Sequence, residues 1–405
     1  MGAIFMRIRP FPAVRPLPDL AAAVSCPPYD VVTREEASRF IEREPRSFMR
    51  VLRPDADPDC TEDASPHHCA ARAFQRLLKE DVLLRDRVPK YYLYRLEQEG
   101  RVQIGVAVTV HAEEYRLKRV RTHELVREEP LQDRRQHIAT VGAHTGPVLC
   151  FARSLPVLED FDPRESSGAL YDFTDEKGVR HTIWTAGSYL EPLQSELDEL
   201  DCIYVADGHH RMAAAVAVAE TQKEGGGADE AQWILCVIFP ASQMRVLPYH
   251  RVVVDLGMPI SDFQRVLEED LGAVRVPRRF SPASREVAVY VAGYWYRLRL
   301  DRGDQSEAGG TGLTDSGVLQ ERVLGPVLHI GDPRSDPRIA FVGGEAADER
   351  VVDMVDSGMA AVGFLLSPVN IGTIMQVADR GGHMPPKSTW FEPKLRSGLL
   401  VHPIQ

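Results

Sequence analysis

Ile203-Tyr204-Val205-Ala206-Asp207-Gly208-His209-His210-Arg211-Met212-Ala213-Ala214-Ala215 is the stretch from which the rest of the chain can be read. Its opening is apolar and suits a short buried strand, Asp-Gly is a turn signal, and the alanine run favours a helix. A strand that turns through Gly208 into a helix presents the unpaired amides of the first helical turn. It also presents the positive end of the helix dipole, and the two together attract an anion. Gly208 has no Cβ to keep a phosphate off the backbone, and Arg211 offers two parallel N–H donors. Asp207 is suited to cap the helix or bind a magnesium ion, and His209 and His210 add donors or an acid–base group near neutral pH. An Asp-Gly pair alone is an ordinary turn. Two histidines and an arginine directly behind it, between strand and helix, favour a phosphate site.

Outward from this box, strands and helices interleave along the chain, which indicates an α/β or α+β fold. Arg7–Pro16 is too proline-rich for a helix and reads as extended, with Cys26-Pro27-Pro28-Tyr29-Asp30 a rigid turn. Thr33-Arg34-Glu35-Glu36 starts a helix, 54–68 is an acidic loop, and helical spacing resumes over Cys69–Leu84. Tyr91–Leu96 and Val102–His111 form a hairpin turning at Glu99-Gly100, and Lys118–Gly142 has helical spacing. Strands are expected at Gly146–Phe151, Trp233–Phe239 and Val246–Val254, and a helix at Met212–Lys223 ended by Gly225-Gly226-Gly227. Beyond residue 256, Ile260–Leu271 reads as a helix and Val287–Leu300 as a hairpin. Asp301–Gly317 reads as a mobile loop.

The bulk composition narrows the function classes. With 405 residues, two or three domains are expected, and 44% apolar with 26% charged residues is ordinary for a globular chain. A net charge of −11 disfavours nucleic acid as a partner. No apolar run approaches a membrane span, and the first twenty residues, with three Arg and four Pro, show no signal peptide. The six cysteines form no CxxC pair and are expected to be reduced and mostly buried, in the cytoplasm.

His123-Glu124 begins like the zinc motif HExxH, but Arg127 stands where the second histidine is needed. Gly381–Ser388 nearly matches a phosphate-binding loop, yet Pro386 replaces a glycine and has no N–H to donate. Lys387, Ser388, Thr389 and Lys394 remain ligand contacts on a rigid loop, set against a core-capping tail. Arg134 can fork onto a phosphate or carboxylate, against a surface ion network. Cys60, His67, His68 and Cys69 lack zinc spacing, and Asp55, Asp57 and Asp59 lack the glycine and glutamate of a calcium loop. Both are expected to be solvated loop.

Asp207-Gly208-His209-His210-Arg211 resembles the box of the free serine kinases, whose ParB/sulfiredoxin-like fold transfers a nucleotide phosphate to free L-serine. Over nearly its whole length the chain also resembles the domain-of-unknown-function family 1015. That likeness rests on Arg9-Pro10-Phe11 to Arg15-Pro16, Pro27-Pro28-Tyr29-Asp30, His123-Glu124 with Asp133-Arg134, and Met384-Pro385-Pro386-Lys387-Ser388-Thr389 to Lys394. The resemblance implies a ParB/sulfiredoxin-like core over 1–255 and a smaller α+β domain over 256–405. It implies a nucleotide-dependent small-molecule kinase using ATP or ADP with Mg2+. Asp207 would hold the metal, Gly208, His209, His210 and Arg211 the phosphates, and Glu124 would activate the acceptor hydroxyl. Arg134, Lys387, Ser388 and Thr389 are the candidate substrate contacts. A nucleotide sensor without turnover and an ATP-dependent sulfiredoxin-type reductase stand as alternatives; the latter needs a reactive cysteine where this box has histidine. A homodimer is allowed.

Overall fold

The computed structural model describes residues 5–61, 65–162, 168–300 and 314–405. It has two compact units. The first comprises Met1–Arg121, Val126–Met244 and Pro393–Gln405, and the second Thr122–Leu125 with Arg245–Glu392.

The first unit is built on a mixed sheet. Its strands run in the order Val120–Arg121, Ile203–Asp207, Val148–Ala152, Trp233–Pro240, Arg101–His111, Tyr92–Gln98, Arg180–Thr185 and Tyr171–Thr174, with Ile8–Arg9 also on Arg101–His111. Ile203–Asp207 is parallel to Val120–Arg121 and antiparallel to Val148–Ala152. The expected hairpin forms between Tyr92–Gln98 and Arg101–His111, with Glu99 and Gly100 both at positive φ. The helix Arg34–Arg43 starts as read, on a reciprocal Thr33–Glu36 capping box. Helices Glu128–Val141 and His209–Glu224 pack on one another, and Met212, Ala214, Ala215, Val218 and Ala219 enter the core with Ile203, Val205, Cys150 and Cys236. Interleaved strands and helices thus give the mixed α/β class expected.

The second unit is an antiparallel sheet in the order Val274–Val276, Tyr294–Arg299, Glu286–Val291, Val362–Leu366, Tyr249–Val253, Ile339–Gly343. The hairpin turning at Gly293 is present, and Ile260–Arg265 is helical, followed by a wider turn over Val266–Asp270.

Several boundaries differ from the sequence reading. The division at residue 255 is replaced by a threaded one, because pairings distant in sequence decide it. In the second unit, Arg245–Leu247 pairs with Trp390–Glu392, and His123 accepts from Met384 N through its carbonyl. In the first unit, Val401 pairs with Val14, Ser397 with Cys26, and His402–Pro403 with Ala143–His144. Pro248 divides the expected strand into Arg245–Leu247 and Tyr249–Val253. The helix expected over 118–142 covers only Glu128–Val141. The loop expected at Asp301–Gly317 lies over 301–313 outside the described residues, while Asp315–Leu319 is a helix capped by Thr314.

The cysteine reading is corrected in one place. Cys26, Cys150, Cys202 and Cys236 are free and buried as expected, but Cys60 and Cys69 form a disulfide. The helix starts at Pro66 rather than Cys69, which brings the two Cα atoms to 5.6 Å. Asp59, in the acidic run, is tied to Arg50 at 2.9 Å and to Arg76 at 3.2 Å. Reduction of this bridge is expected to destabilise the first unit by about 2–3 kcal/mol, from the chain entropy of a loop of about ten residues. Thermal unfolding with and without a dithiol, against a Cys60→Ser/Cys69→Ser variant, checks this; coincident curves for oxidised and reduced protein would contradict it.

Candidate functional site

The strand Ile203–Asp207 is buried except at its last residue, and its pairing with Val148–Ala152 slips by one between Val205 and Asp207. Such a bulge re-aims the side chain that follows it. Gly208 then takes φ +91° and starts the helix His209–Glu224. A Cβ on Gly208 would lie 3.0 Å from Arg211 Nε and 3.1 Å from its Cζ, so the guanidinium lies across the bare glycine. The box is therefore one unit: a left-handed glycine, the helix start behind it, and an arginine folded back over it.

Asp207 is at the centre of the charges. Its Oδ1 accepts from Gly208 N at 2.9 Å, and its Oδ2 is 3.2 Å from Lys394 Nζ and 3.7 Å from Arg211 Nη2. Burial by itself would raise this carboxyl, but Lys394 and Arg211 outweigh it and hold Asp207 well below the usual carboxylate range. Arg211 donates to Pro147 O, at the mouth of the neighbouring strand. Burial opposes its charge, and Asp30 and Asp207 more than compensate, so it stays protonated. Arg134 lies 4.1 Å above the ring of Tyr29 and donates to Asp133 at 2.8 and 2.6 Å. Burial, then Asp30, pushes the Tyr29 phenol up to about 12, so it remains a donor at neutral pH. Tyr29, Arg134, His137, Thr145, Arg211 and Ser397 line one cavity, with Leu52, Ile138, Val148, Ile234 and Leu235 as its apolar wall.

His209 is buried beside Asp207, while His210 Nε2 accepts from Arg127 N at 3.0 Å, which leaves its proton on Nδ1. The reading of Arg134 as part of a surface network is overturned: it is buried and faces the same cavity as Arg211. Lys394, read with Lys387, Ser388 and Thr389 as a ligand contact on a rigid loop or else part of a core-capping tail, lies 3.2 Å from Asp207 Oδ2. Thr145, Gly146 and Ser397 escaped sequence reasoning, the only signal being Gly146-Pro147 ahead of a strand.

The other candidates belong to the second unit. Glu124 lies within Thr122–Leu125, next to His123, whose Nε2 is 3.0 Å from Thr389 Oγ1. Ser388 Oγ donates to Pro385 O at 2.7 Å and is 2.9 Å from Ser316 Oγ, and Lys387, at φ +53°, lies 5.7 Å from the Tyr249 ring centre. His250 and Arg251 are buried mid-strand. His250 donates to Asp348 at 2.7 Å, and Arg251, which burial lowers to about 10, donates to Pro386 O at 3.1 Å. Among the described residues, no group of three or more His, Cys, Asp or Glu is placed to hold a metal, and no helix is long and apolar enough to cross a membrane.

Solved structures similar to this chain include SbnI with a C-terminal truncation from Staphylococcus aureus, at 11% identity and TM-score 0.40, covering 73% of this chain and 86% of that one. A mutant free serine kinase in complex with ADP is 15% identical at TM-score 0.38, covering 70% of this chain and 87% of its own. A conserved hypothetical protein from Pyrococcus furiosus is 13% identical at TM-score 0.36, covering 72% and 93%. No curated protein matches the chain. The family model described as "Protein of unknown function (DUF1015)" matches residues 8–321, more than half of the chain, and the protein belongs to that family.

Proposed function

We propose that this protein is a nucleotide-dependent small-molecule kinase that passes a phosphoryl group from ATP or ADP to a hydroxyl acceptor, free L-serine being the acceptor its resemblance names. The observation that carries this reading is the Gly208 junction, where Arg211 lies across the left-handed glycine beside a carboxylate that also holds Lys394. Phosphoryl transfer needs little beyond positioning and charge neutralisation, and such a junction supplies both. The amides after Gly208 and the Arg211 fork would bind phosphate oxygens, and Arg134 a phosphate or the acceptor's carboxylate. His209 and His210 would support the transferred group. Glu124 is given activation of the acceptor hydroxyl by the family resemblance, and Lys387, Ser388 and Thr389 contacts to substrate.

Both oxygens of Asp207 already have partners, Gly208 N and Lys394. A magnesium ion would therefore reach the site on the nucleotide's phosphates, with Asp207 the carboxylate that would hold it, in keeping with the few protein ligands magnesium takes. The reductase reading is disfavoured because all four free cysteines are buried.

Phosphorus NMR of the protein with magnesium, ATP or ADP, and a panel of hydroxyl acceptors including L-serine tests the proposal. A new phosphomonoester signal that vanishes in Arg211→Ala is the expected result. Nucleotide binding without any product would make the protein a sensor instead, and no binding at millimolar nucleotide would end the phosphate-site reading.

A further inference from the structure

We propose that Lys394 is a ligand-binding residue of the phosphate site, held by Asp207 and handed to an incoming phosphate oxygen, and that Arg396 is the positioning residue that fixes it there. This rests on the phosphate-site reading above. Asp207 Oδ2 is shared between Lys394 Nζ at 3.2 Å and Arg211 Nη2 at 3.7 Å, so two cations converge on one carboxylate oxygen. An ammonium carries three donors on a flexible stem. Lys394 can therefore keep one hydrogen bond to Asp207 while a second turns to a phosphate oxygen, and the doubly charged phosphate offsets the local positive excess.

Lys394 arrives from 187 residues further along the chain, so something must hold its backbone in register. Arg396, two residues on, is buried in a network of charged and polar groups. Its side chain is 4% exposed and forms ion pairs with Asp175 at 3.3 Å and Glu176 at 3.1 Å. Nε donates to Ser25 Oγ at 3.0 Å, and Nη2 donates to Ser25 O. Arg396 N donates to Tyr94 OH at 3.5 Å. A carboxylate only accepts, so His181 Nε2–H donates to Asp175 at 3.2 Å. His181 Nδ1 is then the acceptor for Tyr94 OH at 2.8 Å. Phe173 stacks on the His181 ring with centroids 5.3 Å apart. Ser397 and Cys26 exchange backbone hydrogen bonds at 2.9 and 3.1 Å immediately afterwards. Removing one partner of such a buried charge leaves the other uncompensated, so the segment stays pinned and only the lysine side chain is left to move.

The test is ADP titration of the full chain by calorimetry, with magnesium, for wild type, Lys394→Met, Lys394→Arg, Arg396→Lys and the Lys394→Met/Arg396→Lys pair. Thermal unfolding of each variant confirms that it is folded. Lys394→Met is expected to weaken ADP at least tenfold, the loss of one charge-assisted hydrogen bond to phosphate, and Lys394→Arg to restore most of it. Arg396→Lys is expected to weaken ADP several-fold alone and to add nothing in the Lys394→Met background, which general destabilisation would not reproduce. ADP affinity of folded Lys394→Met within twofold of wild type would overturn the role of Lys394. Additive losses in the pair would overturn positioning by Arg396. Wild type that binds no ADP would remove this inference together with the phosphate-site reading, whereas wild type that binds ADP without turnover leaves the outcomes above to decide it.

Discussion

Valine in place of Gly208 is expected to weaken nucleotide binding strongly and to lower stability by about 2–3 kcal/mol. Gly208 has φ +91°, where a β-branched residue is strained whatever its surroundings. Independently of that strain, any Cβ would come within 3.0–3.2 Å of Arg211 Nε, Cζ and Nη2. The guanidinium would have to give by a few tenths of an ångström, which disturbs the approach to Asp207 and Pro147 O that aims its fork. Gly208→Asn separates the two effects. Asparagine tolerates the left-handed region better than other residues, so most of the stability should return. Its Cβ still meets the guanidinium, so the affinity should not. Denaturant unfolding alongside ADP titration of both variants measures the two quantities. Gly208→Val that binds ADP like wild type would show that the Arg211 arrangement is not the phosphate cradle.

The junction at residues 203–211 was legible because its signals are local. An apolar run, an Asp-Gly turn and an alanine-rich helix agree with one another, and agreement between levels is what makes a segment readable. The hairpin at Glu99-Gly100 and the Thr33–Glu36 capping box were legible for the same reason. What the sequence hid was set by contacts distant along the chain. Lys394 stands in a proline-rich tail with no helical or strand period, and nothing near it announces Asp207. The tail's return to the first unit depends on bridges from Ser397 to Cys26 and from Val401 to Val14, which no periodicity encodes. The Cys60–Cys69 bridge was hidden in another way. A proline at the first helical position puts the start of the helix three residues upstream of Cys69, so Cys69 lies within a helix where the sequence reads as the end of a loop. For Arg134 the sequence left a ligand contact and a surface network both open, because its neighbours in sequence are charged, whereas its neighbour in space is the Tyr29 ring.

Acidification is expected to destabilise the first unit steeply between pH 6.5 and about 4, through three histidines that the fold keeps neutral. Burial, then Arg134, pushes His137 down to about 3, and its Nε2–H donates to Val51 O at 2.8 Å. Burial lowers His144 to about 4. Burial, then His144 and Arg9, lowers His402 to about 3, the two rings being stacked with centroids 5.8 Å apart. In the unfolded chain each of these takes up a proton near pH 6.5, while in the folded chain none does until the pH is far lower. The unfolded state thus binds more protons throughout that window, and stability must fall with falling pH by up to about 1.4 kcal/mol per pH unit for each histidine. The depressed carboxylates Asp175 and Asp207 work in a different window. The stability they contribute is present above the ordinary carboxylate range and is lost only as pH falls below about 4, toward their folded values. Denaturant unfolding at pH 7.5, 6.5, 5.5 and 4.5 measures the slope. His402→Phe keeps a planar ring against Phe11 and His144 while deleting one protonation site, so its slope should be shallower by about one proton's worth, roughly 1.4 kcal/mol per pH unit. Stability unchanged from pH 6.5 to 4.5, or a slope that His402→Phe leaves untouched, would mean that these rings are protonated in the folded protein and that its interior is wetter than their burial implies.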